Sequence, residues 1–407
     1  MNRGFYTILA AQFFSALADN ALLFAAIAVL ATLHAPTWQT PVLQVFFVFA
    51  YIVLAPFVGP FADALPKGRV MFVANAVKLA GCAAMLFGLH PLFAYGIVGV
   101  GAAMYSPAKY GILTECLPHH RLVLANGWME GLTVAAIILG AILGGFMLAP
   151  AFSSFVLGQD GRFGFPVDST PKLAILVIFG LYLIAAAINL YIPKLAIDHK
   201  LPKRTPMYVL QDFWHSFRLL WRDPLGQVSL AVTTLFWGAG ATLRLIVLTW
   251  AAVALNFDLK RASQLTAVVA IGIALGSVLA ARFVSLRGAV RVLPAGIALG
   301  FAVMGMIFVQ DWRVAVAVLT LIGMMAGYFV VPMNALLQHR GHLLMGAGHS
   351  IAVQNFNENL SILVMLGAYT LMLRADLRID TIIILFGLLV SLTMYVIYRK
   401  HGHDQVI

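Results

Sequence analysis

Charge is scarce in this chain. Asp, Glu, Lys and Arg make up 10% of its 407 residues, whereas 62% are hydrophobic. A soluble domain carries about a quarter charged residues, so that class is excluded and a polytopic membrane protein remains. Cysteine is nearly absent. Cys82 and Cys116 lack metal-ligand spacing and fall in or beside different apolar runs, so neither a disulfide nor a zinc site is expected. No G-x-x-x-x-G-K-[ST] stretch occurs, and no His stands four residues ahead of an Asp. Nucleotide use and membrane acyl transfer are therefore not expected, nor is any cofactor, metal or enzymatic activity. Acids are the scarcer sign, giving a net charge of +11. The basic residues sit in short loops between apolar runs, which the positive-inside rule produces and a nucleic-acid site does not require.

What is abundant is apolar sequence long enough to cross a bilayer as helix, about 20 residues at a time. Twelve such spans are expected, at 5–33, 42–62, 70–89, 92–113, 123–149, 171–192, 227–256, 262–284, 290–309, 314–337, 345–373 and 379–398. Ala16-Leu17-Ala18 resembles a signal-peptidase site, but the apolar run continues to Leu33, so an uncleaved first span is read. Residues 150–171 suit an external loop. Residues 193–225 form the long polar stretch, with Lys194, Lys200, Lys203, Arg204, Arg218 and Arg222 against Asp198, Asp212 and Asp223. Its second half, 210–221, spaces apolar and aromatic residues at helical intervals and predicts a helix on the cytoplasmic membrane surface. Loop charge sets orientation. Lys67, Arg69, Arg121, the central stretch, Arg287, Arg291, Arg340, Arg399 and Lys400 mark the inside, so both termini are expected in the cytoplasm.

The central stretch divides the spans six and six: a bundle at 1–193, a linker with its surface helix at 194–225, and a bundle at 226–407. A weak internal repeat supports the division. GVGAAMYSPAKYGIL leads to Asn126 and Glu130, and GMMAGYFVVPMNALL leads to Gln354, Asn355 and Glu358, with Pro107 matching Pro332. Phe13-Phe14-Ser15-Ala16 aligns with Phe236-Trp237-Gly238-Ala239, which puts Arg244 two residues beyond the equivalent of Asp19.

A carboxylate near a span's centre costs on the order of 2.5–3.5 kcal/mol on insertion scales. Asp19 in AQFFSALADNALLFA thus needs a cation or a watered cavity, unless it caps a helix break or pairs for packing alone. Lys109 and Arg244 are the candidate cations, and Asp19 is expected to pair with one or both in some states. Lys109 also fits a snorkelling residue at a span end. Lys78 is read as snorkelling or packing, and Glu115 as a gate or helix-end charge. Gly140, Gly144, Gly272, Gly276, Gly323 and Gly327 are read as close helix contacts.

After the second span stands GPFADALPKGR, with Gly59, Asp63, Gly68 and Arg69. It resembles the G-x-x-x-D…G-R loop of the major facilitator superfamily. That resemblance implies close helix packing at Gly, an Asp facing a helix N-terminus, and a basic end pairing with acids on the inner face, all with a gating role. The equivalent stretch 281–290 keeps Arg287 and Gly288 without an Asp, so the lock is one-sided. The expected fold is all-α, twelve transmembrane helices in two pseudo-symmetric six-helix bundles. Within that superfamily, 11–398 resembles the bacterial lysophospholipid transporters, through AQFFSALADNALLFA, FVFAYIVLAPFVGPFADALPKGRVM, VGVGAAMYSPAKYGIL, TTLFWGAGATLR, VVPMNALLQHRG and IAVQNFNEN.

The resemblance implies movement of lysophospholipids from the outer to the inner leaflet of a bacterial inner membrane. A cytoplasmic acyltransferase/acyl-carrier-protein synthetase, fused in some relatives, then reacylates them; no such domain is expected in the chain up to Ile407. The residue inventory suits the substrate. Its acyl chain stays in lipid, while the headgroup needs a polar, partly cationic path open sideways to an apolar slot. Lys109 and Arg244 supply cations, Asp19 and Glu130 acids, and Asn20, Asn126, Gln354, Asn355 and Glu358 hydrogen bonds. An exporter of drugs, sugars or other small amphiphiles shares the loop motif and remains the alternative. A structural scaffold would not need Asp19, Arg244 and Glu130 in its spans.

Overall fold

The computed structural model describes residues 3–36, 39–149, 169–193, 205–257 and 259–402. Most of the expected external loop at 150–171 and the linker residues 194–204 lie outside them. Without water to satisfy peptide groups, a spanning chain must close its hydrogen bonds internally, and the described residues form thirteen α-helices. These are α1 Arg3–Thr32, α2 Gln39–Ala64, α3 Lys67–Leu86, α4 Pro91–Cys116, α5 Leu122–Met147, α6 Thr170–Asn189, α7 Pro206–Arg222, α8 Pro224–Ala254, α9 Leu259–Phe283, α10 Leu293–Gly305, α11 Trp312–Leu344, α12 Ala347–Arg374 and α13 Ile379–His401. Eleven helical segments are long and apolar enough to span. The twelfth, α4, is 26 residues long and more polar, holding Ser106, Pro107 and Lys109. The remaining helix, α7, falls on the helix expected at 210–221 and extends it to Pro206–Arg222. The ninth span is shorter than expected as α-helix, because 3-10 turns Leu286–Val292 and Met306–Phe308 flank α10.

Local chemistry places the breaks. Asp223 caps α8, its Oδ2 accepting the Gly226 N–H at 2.8 Å, and Pro224 occupies a first-turn position whose N–H has no helical partner. Asp311 likewise accepts the Arg313 N–H at 2.6 Å to start α11. Between α11 and α12 the chain turns at Gly346, whose φ of 98° a side chain would strain.

Residues 1–112 and 135–210 make one compact unit, and 113–134 and 211–407 another. In the first, α6 packs on α1 and α3. Its core runs through Ala18, Leu22, Ala25, Leu43, Cys82, Tyr95, Val98, Ile175, Ile178 and Tyr182. The second half of α5 lies on α1, where a Cβ at Gly140 would come within 2.7 Å of Asn20 Cβ, and one at Gly144 within 2.9 Å of Phe24 Cβ. In the second unit α9 packs along α11, α10 along α13, and α8 against α11 and α12. Gly272 and Gly276 interlock with Gly323 and Gly327: a Cβ at Gly272 would meet Gly323 Cα at 2.9 Å, and one at Gly323 would meet Gly272 Cα at 2.9 Å. With lipid as apolar as the helices themselves, such backbone proximity supplies the dispersion contact that holds them together. All six glycines read as close contacts are close contacts.

Candidate functional site

The most developed polar cluster of the first unit is built on α1. Ser15 and Asp19, one turn apart, share a face, and α3 meets it with Asn75 and Lys78. The Lys78 ammonium donates to Asp19 Oδ2 at 2.7 Å and to Ser15 Oγ at 3.0 Å. It also lies 4.9 Å from the ring centroid of Tyr105 on α4 and 5.8 Å from that of Tyr182 on α6. Ser15 in turn donates to Asn75 Oδ1 at 2.8 Å, and the Tyr182 hydroxyl donates to Asp19 Oδ1 at 2.7 Å. Lys78 is therefore not snorkelling. Its side chain is 1% exposed, and a buried ammonium is tolerable only with such compensation. The pair ties α1, α3 and α6 together and is open at its acid end, where the Asp19 side chain is 19% exposed. Lys78 sits mid-span, so the rule that singled out Asp19 applied to it equally.

Asn20 is half-buried and its Nδ2 donates back to the Ala16 carbonyl at 2.8 Å. Lys109 is buried, with its ammonium 4.2 Å from the Tyr110 ring centroid. That burial does not fit the snorkelling alternative.

The second unit holds an amide pair. Asn126 Nδ2 donates to Gln338 Oε1 at 2.9 Å, and Gln338 Nε2 donates to Asn126 Oδ1 at 2.8 Å, joining α5 to α11. On α12, Gln354 Nε2 donates to Glu358 Oε1 at 2.6 Å and to Asn334 Oδ1 of α11 at 2.9 Å. Glu130, Asn355 and Glu358 are buried. Asn334 and Gln338, one turn apart and just beyond Pro332, were missed by the sequence reading; their spacing was the available signal. Arg244 on α8 is exposed and has no ion-pair partner among the described residues.

At the expected inner ends, Asp63 pairs with Lys67 at 2.6 Å, and Lys67 also donates to the Ala62 carbonyl at 2.8 Å. Lys67, expected as loop charge, is thus one half of a buried ion pair. A Cβ at Gly68 would meet the Asn189 carbonyl at 3.1 Å, so this glycine lets α3 start against the end of α6. Gly59 is buried, Glu115 half-buried and Arg69 exposed. In the second unit Asp212 of α7 pairs with His349 of α12 at 3.1 Å. Asp223 takes the Arg340 guanidinium of α11 in a two-pronged clamp, Nε to Oδ2 at 3.0 Å and Nη2 to Oδ1. Burial pushes the Asp223 carboxyl up, but the Arg340 hydrogen bonds, the Gly226 N–H and the Arg340 charge outweigh it and hold it below the usual Asp value. These are fixed charges and hydrogen-bonding groups on and beside the apolar helices. Among the described residues no group of three or more His, Cys, Asp or Glu gathers as a metal site.

Comparison with known proteins agrees in sequence and in fold. Residues 8–368 match the Major Facilitator Superfamily. The chain is 46% identical over 375 residues to the lysophospholipid transporter LplT of Yersinia enterocolitica serotype O:8, covering 92% of this chain and 88% of that one. Identity and coverage are the same for LplT of Yersinia pestis strain Pestoides F. Among solved structures it is similar to FucP, a major facilitator transporter, with a TM-score of 0.75, 15% identity and 98% of each chain covered. It is also similar to a bacterial homologue of the iron transporter ferroportin, with a TM-score of 0.72, 16% identity, and 98% of this chain and 100% of that one covered.

Proposed function

The chain belongs to the lysophospholipid transporters of the major facilitator superfamily, and from that premise we propose that it carries lysophospholipids, such as lysophosphatidylethanolamine, from the outer to the inner leaflet of a bacterial inner membrane. It is a multi-pass membrane transporter of lysophospholipid. The observation that carries the reading is the 46% identity to LplT over 92% of the chain; the polar residues on its membrane helices supply the chemistry. An acyl chain of about sixteen carbons is held in lipid by on the order of 12 kcal/mol, so the tail stays there and only the headgroup needs a path.

Arg244, exposed and without an ion-pair partner among the described residues, is the first choice for the phosphate, with Lys109 as the second cation. Asp19, Asn20, Asn126, Glu130, Gln354, Asn355 and Glu358 line the rest of the headgroup path. In other states of the cycle Asp19 pairs with Arg244 or Lys109, and an arriving phosphate competes for the freed cation. Gly59, Asp63, Gly68, Arg69 and Glu115 govern the alternation of access. The termini are cytoplasmic, supported by the basic loops: a cysteine at Ala64 should resist an impermeant thiol reagent in intact cells and one at Gln159 should react. The product is handed to a cytoplasmic acyltransferase/acyl-carrier-protein synthetase. Pure protein in vesicles should translocate labelled lysophosphatidylethanolamine and leave a diacyl phospholipid behind. Translocation of sugars or drugs without lysolipid would overturn the assignment in favour of a small-amphiphile exporter.

A further inference from the structure

Helix α7 has three chemically distinct faces. Val209, Phe213, Ser216 and Leu220 recur at helical spacing and are buried. Beside them runs an apolar flank in which Met207, Leu210 and Trp214 are exposed, continued by half-buried Phe217 and Trp221. On the other side Gln211, His215, Arg218 and Arg222 are all exposed. The acids at this corner are turned inward: Asp212 meets His349, and Asp223 is held by Arg340. Arg218 and Arg222 are left without an ion-pair partner among the described residues. Asp223 is thus neutralised inside the protein by Arg340 and Asp212 faces the His349 ring, while Arg218 and Arg222 are presented outward.

The depth of this face follows from chain connectivity. Arg222 ends α7 and Pro224 begins α8, a spanning helix, with Asp223 alone between them. His349, which anchors Asp212, lies in the first turn of α12, another spanning helix. Helix α7 is therefore held at the level where spans begin, the lipid headgroup layer. An apolar, aromatic flank beside an arginine flank at that level matches the boundary between acyl chains and phosphates.

We propose that α7 is a binding element for anionic phospholipid headgroups, with Arg218 and Arg222 engaging phosphates while Trp214 and its apolar neighbours enter the acyl boundary. The binding reaches the transport helices through short contacts. Phe213 and Phe217 pack their rings on Phe356 of α12 at 5.5 and 6.2 Å, beside Gln354, Asn355 and Glu358. Asp223 holds Arg340 two residues beyond Gln338 of α11. Seating α7 in an anionic headgroup layer therefore sets two of the helices that carry polar residues of this unit, and transport rises with anionic lipid.

The test uses the full-length protein in vesicles of zwitterionic lipid with and without phosphatidylglycerol, comparing wild type with Arg218→Gln/Arg222→Gln. Each arginine near an anionic surface favours the seated position by about fivefold. Wild-type lysophosphatidylethanolamine uptake should rise several-fold with phosphatidylglycerol and lose that gain at high salt. The variant should stay at the wild-type level measured without it. A second readout needs no transport. A fluorophore at Gln211→Cys, in a background lacking Cys82 and Cys116, should be quenched more by spin-labelled phosphatidylglycerol than by spin-labelled phosphatidylcholine, and the preference should vanish in the variant. Equal anionic-lipid preference in wild type and variant overturns the proposal. So does a label that no lipid quenches, which would make the face a protein-docking surface. The quenching holds whatever solute the protein carries, so failure of the substrate assignment and failure of this one are separable.

Discussion

Removing the Lys78 charge is the most informative perturbation of the first unit. Its side chain is 1% exposed, and its ammonium reaches Asp19 at 2.7 Å and Ser15 at 3.0 Å. In Lys78→Met the Asp19 carboxylate keeps the Tyr182 hydroxyl at 2.7 Å but loses its counter-charge. Breaking a buried pair from one side costs about 3–5 kcal/mol. Asp19 is 19% exposed and can recover some hydration, so about 3 kcal/mol is expected. In Asp19→Asn the ammonium is stranded without comparable access to water, and about 4–5 kcal/mol is expected. The double variant strands neither charge and should be no less stable than the worse single, a coupling of at least about 3 kcal/mol. At about 2 °C per kcal/mol for a long chain, Lys78→Met should lower the thermal midpoint in detergent by roughly 6 °C. Midpoints of the four proteins, with vesicle uptake measured in parallel, complete the cycle. Stability restored in the double variant without uptake would assign Asp19 to transport as well as to the fold. A coupling within about 0.5 kcal/mol of zero would refute the claim that the two side chains hold one another.

Three further outcomes test other contacts. Asn126→Leu should cost about 1–3 kcal/mol by leaving Gln338 buried and unpaired, and Asn126→Leu/Gln338→Leu should regain most of it; a double variant as unstable as the sum of the singles would contradict the reciprocal pair. Gly276→Val places a side chain on the Met324 carbonyl of α11, so folded yield should collapse, whereas Gly367→Ala, with nothing within 4 Å of its added Cβ, should be silent. Asp223→Asn keeps a helix cap but removes the charge that holds Arg340, at a cost of about 1.5–3 kcal/mol. Because the Asp223 carboxyl is held below the usual Asp value, its contribution is full above that value and is lost only as pH falls through the lowered one. The difference between wild type and Asp223→Asn should therefore be flat from about pH 5 to pH 8, and a slope in that range would refute it.

The spans were legible from the residues alone, because two local properties set them. Apolar length decides where a helix enters and leaves the bilayer, and loop charge suggests which side each end faces. The expected 5–33, 70–89 and 379–398 became Arg3–Thr32, Lys67–Leu86 and Ile379–His401. Helix α7 was legible for a related reason, since water on one side and apolar surroundings on the other write a periodic pattern into it. The interlocked glycines could be anticipated too, because small residues are what lets two backbones approach in lipid. The azimuth of each spanning helix was not legible. A helix with lipid on one face and apolar protein on the other shows little periodicity, so its sequence states depth far better than direction. Asp19 could be identified as needing a cation, but whether Lys78, Lys109 or Arg244 meets it depends on which helices are neighbours and how each is rotated. The same holds for Gln338 opposite Asn126 and for Arg340 on Asp223, pairs 212 and 117 residues apart. Depth belongs to the chain, and partners belong to the packing, because in an apolar solvent only tertiary contact distinguishes one side of a helix from the other.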